Sequence, residues 1–152
     1  MPPVHARLAT LQDLSTVAAL FDAYRQFYEQ APDLAAATQF IAARMHKQES
    51  VILLAEDADA NAVGFCQLYP TFCSVEAQPI YVLYDLFVTP QSRKTGAGKQ
   101  LLLAAEDLAR RHGMARMDLT TARTNLTAQR LYTALGWVRD DVFLAYSRRI
   151  AA

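Results

Sequence analysis

Alternating and helically spaced apolar positions divide the chain into a mixed series of strands and helices. Val4 to Ala9 reads as a short first strand. Thr10 and Asp13 follow with the hydroxyl-x-x-acid pattern of a capping box, and Leu14, Val17, Phe21, Tyr24 and Tyr28 recur at helical spacing to about Glu29. Pro32 interrupts, and Asp33 is placed to cap a second helix from Leu34 to about Gln48, with Phe40, Ile41 and Met45 on its apolar side. Val51 to Ala55 predicts a strand, Glu56 to Asn61 a polar turn, and Ala62 to Tyr69 the returning strand. Thr71 to Gln78 reads as a loop before a long apolar strand from Ile80 to Val88, which Pro90 closes. A helix from about Gly98 to His112 stops at Gly113. Met117, Leu119 and Thr121 then alternate with Arg116, Asp118 and Thr120 as a strand. Asn125 to Leu135 is a short helix ending at Gly136, and Trp137–Arg139 and Phe143–Arg149 read as two last strands. This order, without repeat or linker, predicts one α/β (α+β) domain over residues 1–152 with a mixed, mostly antiparallel sheet.

Composition narrows the function classes. At 152 residues and 53% hydrophobic, the chain can bury a full core. Lys plus Arg balances Asp plus Glu, 15 against 15, so there is no cation surplus of the kind that grips nucleic acid, and none is expected as a partner. No apolar run approaches the roughly 20 residues of a membrane helix, and Met1 to Thr10 lacks a signal-like apolar stretch. The expected place is the cytoplasm, away from membranes. Cys66 and Cys73 fit no disulfide or zinc pattern and read as reduced thiols without catalytic duty. His5, His46 and His112 are scattered, and no metal spacing appears.

The most informative stretch is Asp85-Leu86-Phe87-Val88-Thr89-Pro90 followed by Arg93-Lys94-Thr95-Gly96-Ala97-Gly98. It joins a strand to a helix, where the first helical N–H groups lack internal partners and the dipole is positive. Such a junction is an anion site. Gly96 and Gly98 remove Cβ atoms from the approach, and Arg93 and Lys94 add cations at the rim. It is not a P-loop, since Lys99-Gln100 replaces the Gly-Lys-Ser/Thr ending, nor a dinucleotide fingerprint, since the third glycine is missing. By itself the pattern is equally that of a glycine turn with solvated cations.

Arg93-x-x-Gly96-x-Gly98, after Leu86-Phe87-Val88 and Pro90, resembles the acetyl-CoA motif of the GNAT N-acetyltransferase superfamily. A second segment, Asn125, Ala128, Leu131-Tyr132 and Leu135-Gly136-Trp137, is similar to that family's Asn…Ala…Leu-Tyr…Gly-aromatic motif. The resemblance implies a GNAT fold with six to seven strands, about four helices, and a split between the fourth and fifth strands. It implies acetyl-CoA as cofactor and no metal. The pantetheine arm would pair with Leu86, Phe87 and Val88, and the pyrophosphate would sit on amides of Lys94, Thr95, Gly96, Ala97, Gly98 and Lys99 beside Arg93. Asn125 and Tyr132 would flank the arm and the thioester. Homodimers are common in that family, which makes a homodimer the expectation.

Acetyl transfer from a thioester to an amine needs a base, an oxyanion donor and a partner for the departing thiolate. A lysine-like amine of pKa near 10.4 is about 3.4 units from neutral at pH 7, or roughly 4.6 kcal/mol. Asp85 is the candidate base, directly or through water, with Glu29 and Glu76 as alternatives; a purely structural Asp85 is the competing reading. Some polyamine-acetylating relatives carry an acid at the position matching Tyr84. Backbone N–H groups near Phe87 or Val88 would serve the oxyanion. Tyr132 is the expected thiolate partner. A phenol (~10) outranks a thiol (~8.5) by about 1.5 units, so a hydrogen bond suffices without full proton transfer. Tyr24, Phe27, Tyr28 and Glu29 end the first helix, and with Tyr81 and Tyr84 they suggest an aromatic, acidic pocket for a cationic amine. Core packing of that helix is the plainer alternative. The expected activity is acetylation of a small primary amine: a polyamine, amino acid or amino sugar. A protein lysine or N-terminal acetyltransferase and a non-catalytic acyl-CoA-binding module are the competing classes.

Overall fold

His5–Leu8 (β1) pairs antiparallel with Val51–Glu56 (β2), which pairs antiparallel with Ala62–Cys73 (β3), and β3 with Gln78–Val88 (β4). Met117–Asp118 (β5) joins β4 in parallel, closing a five-stranded sheet of order β1-β2-β3-β4-β5. A computed structural model of the chain describes residues 3–151. They form two compact units, one up to Thr120 and the other from Thr121 onward. All five strands lie in the first unit.

Period-two alternation gives the sheet two apolar faces. Ile52, Leu54, Phe65 and Phe87 meet Val17, Leu20 and Phe21 of Leu14–Phe27 (α1) and Ala37 and Ile41 of Leu34–His46 (α2). Leu53 and Cys66, one residue out of phase, are also buried and turn to the opposite face. Ala97–Arg111 (α3) buries Ala97, Leu101, Leu102, Ala105, Leu108 and Ala109, a stripe at helical spacing, against β1 to β4. Burial pushes the Cys66 thiol up to about 12, so it stays protonated at neutral pH.

The capping signals act as the sequence implies. The Thr10 N–H donates to Asp13 Oδ2 at 2.8 Å, ahead of one 3-10 turn, Leu11–Asp13, that leads into α1. Asp33 Oδ1 accepts from the Ala36 amide at 3.0 Å. Gly113, at φ 71°, follows α3.

The strands depart from expectation in three places. The segment read as a loop from Thr71 is strand as far as Cys73, because Pro70, Thr71 and Phe72 find partners in Tyr81, Ile80 and Pro79. β5 is only two residues long. The predicted strands Trp137–Arg139 and Phe143–Arg149 do not form, so the described residues hold five strands rather than six to seven. Apolar residues supply a pattern, but a strand exists only where a neighbour pairs its backbone. There, Asp140 Oδ1 instead accepts from the amides of Val142 (2.8 Å) and Phe143 (3.2 Å), a local turn that competes with a ladder.

In the second unit, Asn125 caps Leu126–Ala134 (α4) through Oδ1, which accepts from the Ala128 amide at 3.2 Å. Gly136, at φ 91°, ends it. The Trp137 amide donates to the Tyr132 carbonyl at 3.0 Å, and their rings lie 6.1 Å apart.

A cross-strand network pins β1 to the start of α1. Arg7 donates through Nη1 and Nη2 to Asp13 (2.9 and 2.8 Å) and through Nε to Glu56 (2.7 Å). These bonds, with the Thr10 amide, hold the Asp13 carboxyl down at about 2. The folded state therefore gains stability above the ordinary carboxyl value of ~3.9 and loses it as pH falls toward about 2. Allowing for solvent screening at the half-exposed Arg7, Asp13→Asn should cost about 1 kcal/mol at pH 7, or about 3 °C in Tm. In thermal melts across pH, the gap from wild type should close between about pH 4 and 2.

Candidate active site

β4 is paired with β3 along its whole length but with β5 only at Tyr81↔Met117 and Val82↔Asp118. From Leu83 to Val88 no described strand pairs with that edge, so the fourth and fifth strands part where the sequence reading put the split. Within this stretch Gln67 faces Asp85 and Leu68 faces Leu83. Tyr84 is the extra residue of a β-bulge, exposed between two buried neighbours. The approach of β3 is close: a Cβ built on Gly64 would stand 2.7 Å from the Phe87 carbonyl oxygen.

Phe65, Gln67, Asp85 and Phe87 share the face that α1 covers. Asp85 is buried, and its Oδ2 accepts from Gln67 Nε2 at 2.7 Å. Gln67, itself fully buried, accepts from Ser50 Oγ at 2.7 Å. The Tyr24 hydroxyl reaches the same carboxylate and the Tyr84 carbonyl, 3.4 Å away. Burial raises the Asp85 carboxyl, and the bonds from Gln67 and Tyr24 oppose that only in part. Burial and then the charge of Asp85 push the Tyr24 phenol up, so it keeps its proton. The partner of Asp85 is thus an amide and a phenol rather than a cation. Gln67 was not singled out from sequence; its signal was a lone polar side chain amid Val63, Phe65, Cys66 and Leu68.

Beyond β4, the Thr89 amide donates to the Val63 carbonyl at 2.8 Å, and Pro90–Ser92 makes one 3-10 turn. Lys94 (φ 67°) and Gly96 (φ 88°) are both left-handed. That conformation costs a non-glycine residue roughly 1–2 kcal/mol. Gly96 is the N-cap of α3, which begins at Ala97. The first helical bond runs from the Gln100 amide to the Gly96 carbonyl, 2.9 Å. The amides of Ala97, Gly98 and Lys99 therefore have no acceptor within the helix, and Gly96 has no side chain to cap them. Apart from Gly96 itself and its chain neighbours, no atom of the described residues lies within 4 Å of where a Gly96 Cβ would be. Exposed Lys94 and Lys99 flank this opening. Uncapped amides, a positive dipole end and two ammonium groups can hold a phosphate group. Arg93 turns the other way: Nε donates to the Val88 carbonyl at 3.1 Å, and the guanidinium lies 5.4 Å from the Phe27 ring and 5.9 Å from that of Phe87.

The α1 aromatics gather at the same end of β4. Tyr24 packs edge-on to Tyr28 (5.1 Å) and Phe65 (5.8 Å), and Phe27 lies 6.5 Å from Phe87. Glu29 is exposed beyond the helix, at φ 65°. Tyr81 leaves the expected acceptor group. It is buried, and its hydroxyl meets His112 Nδ1 at 2.7 Å. Glu76 is tied to Arg116 at 3.0 Å, at the opposite end of β4 from Asp85. Leu86, Phe87 and Val88 lie on the open stretch of β4, whereas Asn125 and Tyr132 belong to the second unit.

A family model described as the acetyltransferase (GNAT) family matches residues 17–137. The chain belongs to the GNAT acetyltransferase family. It is 44% identical over 149 residues to the "Uncharacterized N-acetyltransferase YhfO" of Bacillus subtilis (strain 168), covering 98% of this chain and 99% of that one. A crystal structure of a probable acetyltransferase superposes with a TM-score of 0.90 at 34% identity, covering 97% and 99% of the two chains. The aminoglycoside N-acetyltransferase AAC(6')-Iy, solved in complex with CoA, shares the fold at a TM-score of 0.81 and 20% identity, covering 99% of this chain and 97% of its own. The described chain is therefore a GNAT fold, and the protein is an acetyltransferase.

The elevated Asp85 carboxyl has a consequence for this GNAT enzyme's stability. The folded state holds that proton more tightly than the unfolded chain, so Asp85 stabilises below the unfolded value of ~3.9 and loses this as pH rises through the folded value. Asp85→Asn cannot ionise yet keeps an oxygen for Gln67. Its Tm should exceed that of wild type at pH 7 and converge with it below about pH 4. The reverse order at pH 7 would mean that the ionised carboxylate is the stabilising form.

Proposed function

We propose that the protein moves the acetyl group of acetyl-CoA to a primary amine of a small molecule. What supports the reading is the junction at one end of β4: an unpaired strand edge runs into a helix N-terminus with three uncapped amides, beside a buried carboxylate that has no cationic partner. When bound, acetyl-CoA supplies an acetyl group activated as a thioester. The turn from Lys94 through Thr95, Gly96, Ala97 and Gly98 to Lys99 would hold the pyrophosphate. The open edge at Leu86, Phe87 and Val88 would take the pantetheine arm, with Arg93 bracing the end of the strand. Asn125 and Tyr132 carry the family's second motif and flank the arm. The family match runs from 17 to 137, across the boundary at Thr120, which supports one working domain over the whole chain.

Asp85 serves as the base. An ordinary carboxyl lies about 6.5 units below a lysine-like amine, and burial narrows that gap from both sides by raising the acid and lowering the amine. Tyr24 holds the carboxylate and can pass a proton along its own hydroxyl. Backbone N–H groups near Phe87 or Val88 donate where negative charge develops. Tyr132 would donate a hydrogen bond to the thioester sulfur. Tyr24, Phe27, Tyr28, Glu29 and Tyr84 line the acceptor side. In this reading the protein is a cytoplasmic homodimer, which light scattering and fractionation would check. Among the described residues, no helix is long and apolar enough to cross a membrane.

Calorimetry with coenzyme A and a screen of amines for free CoA release test the reading together. Wild type should bind, and Gly96→Val, which places a branched side chain in the opening at a left-handed position, should bind at least about tenfold more weakly. Asp85→Asn should lose about 10²–10⁴-fold in kcat at pH 7 while staying folded. Tyr132→Phe should lose at least about tenfold in kcat with little change in KM for acetyl-CoA. A folded wild-type protein that gives no heat with coenzyme A overturns the proposal.

A further inference from the structure

An open cleft of about 570 Å³ lies between α2, the segment after it and the β3–β4 pair, lined by Phe40, Arg44, Glu49, Tyr69 and Tyr84. Its size suits a small molecule. Tyr84, the bulge residue, connects it to Asp85, its neighbour in the chain. The Tyr69 and Tyr84 rings meet edge to face at 5.6 Å. Across from them, the Arg44 guanidinium lies 4.3 Å above the Phe40 ring, and its Nε donates to Glu49 Oε1 at 3.0 Å.

That arrangement leaves much of Arg44 unused. One nitrogen is bonded and one face is stacked, so the group is fixed in orientation, yet neither terminal nitrogen donates to a described residue. A planar guanidinium held this way presents the paired donors that match a carboxylate. The charges of the cleft cancel, one guanidinium against one carboxylate. A polycationic acceptor would need an acidic cleft and would meet Arg44 as a repulsive neighbour. Burial lifts the Tyr69 phenol to about 12, with the Asp85 charge adding to it and Arg44 opposing, so this hydroxyl remains a donor. The same shifts show that Tyr69 feels both Asp85 and Arg44, the two ends an acceptor would span.

We propose that this cleft is the distal part of the acceptor site and selects an amine that also carries a carboxylate, an amino acid or short peptide, with Arg44 taking the carboxylate and Glu49 holding Arg44 in place. The inference rests on the acetyl-transfer reading. Tyr69 and Tyr84 sheathe the connecting aliphatic segment, and the reacting amine lies toward Asp85. Of these residues, only Tyr84 belongs to the acceptor wall anticipated from the sequence.

Matched pairs test it: lysine against cadaverine, ornithine against putrescine, and glycylglycine against its amide, each assayed for free CoA release. For wild type, kcat/KM should favour the carboxylate-bearing member by about ten- to a hundredfold, the span of one charge-assisted bidentate contact. In Arg44→Gln that ratio should collapse toward one, through KM rather than kcat, while Arg44→Lys retains part of it. Equal or better use of the member without the carboxylate, or an unchanged ratio in a folded Arg44→Gln, overturns the proposal. So does a protein that binds coenzyme A yet turns over neither member of any pair. Turnover of the diamines without preference leaves acetyl transfer standing and removes only the carboxylate. Failure to bind coenzyme A removes both. The wild-type ratios decide the matter even where a variant does not fold.

Discussion

Beyond Val82 the backbone of β4 pairs with a described strand along one edge only. Peptide groups left without a protein partner must take water or a ligand, and an open edge is costly to leave unmanaged. Here the edge is kept short and rigid. β3 pairs it from the other side, Phe87 anchors it under α1, and α3 packs beneath. The strand then ends at Pro90, and two left-handed residues swing the chain so that α3 starts with its donors uncovered. One strand thus offers a row of peptide groups and, at its tip, a positive helix end. Under the proposed function an extended, phosphate-tailed molecule would use both, with Lys94 and Lys99 at the rim.

Asp85 is the costly element of this design. A carboxylate in the interior needs compensation, and it comes from the amide of Gln67 and the hydroxyl of Tyr24 rather than from an arginine or lysine. A cation would have pulled the carboxyl down and made it a poor base; neutral donors orient it while leaving it raised. Tyr24 has a further role, since its ring is the hub on which Tyr28, Phe65 and Phe87 meet. The packing of α1 on the sheet and the environment of the carboxylate are therefore one arrangement, and the aromatic spacing of that helix serves the core and the surroundings of Asp85 at once.

The helices, their caps and the glycine turn were legible because each is written locally: Thr10 with Asp13, Asp33, Asn125 and Gly136 all act within a turn of where they stand. The strands were less so, because a strand depends on a neighbour that its own residues do not name. Thr71 and Phe72 look like loop yet have partners in β4, while Phe143 to Arg149, which opens on the apolar run Phe143 to Tyr146, has none among the described residues. Asp85 and Tyr24 could be nominated from their places on β4 and α1, but their contact is made across 61 residues of chain. Tyr81 was misjudged for the same reason, since His112 lies 31 residues away. The Arg44 cleft draws on α2, the segment after it and two strands, and no spacing in the sequence announces it.

The tight contact at Gly64 carries a lesson for anyone altering this protein. Val88 sits directly across from it, and even a methyl group there would press on the carbonyl oxygen of Phe87 in the neighbouring strand. In a library randomised over the whole chain, losses at this site would mimic damage to catalytic machinery, though the residue has no functional group to lend. Its contribution is emptiness, and that room determines how closely β3 and β4 can lie.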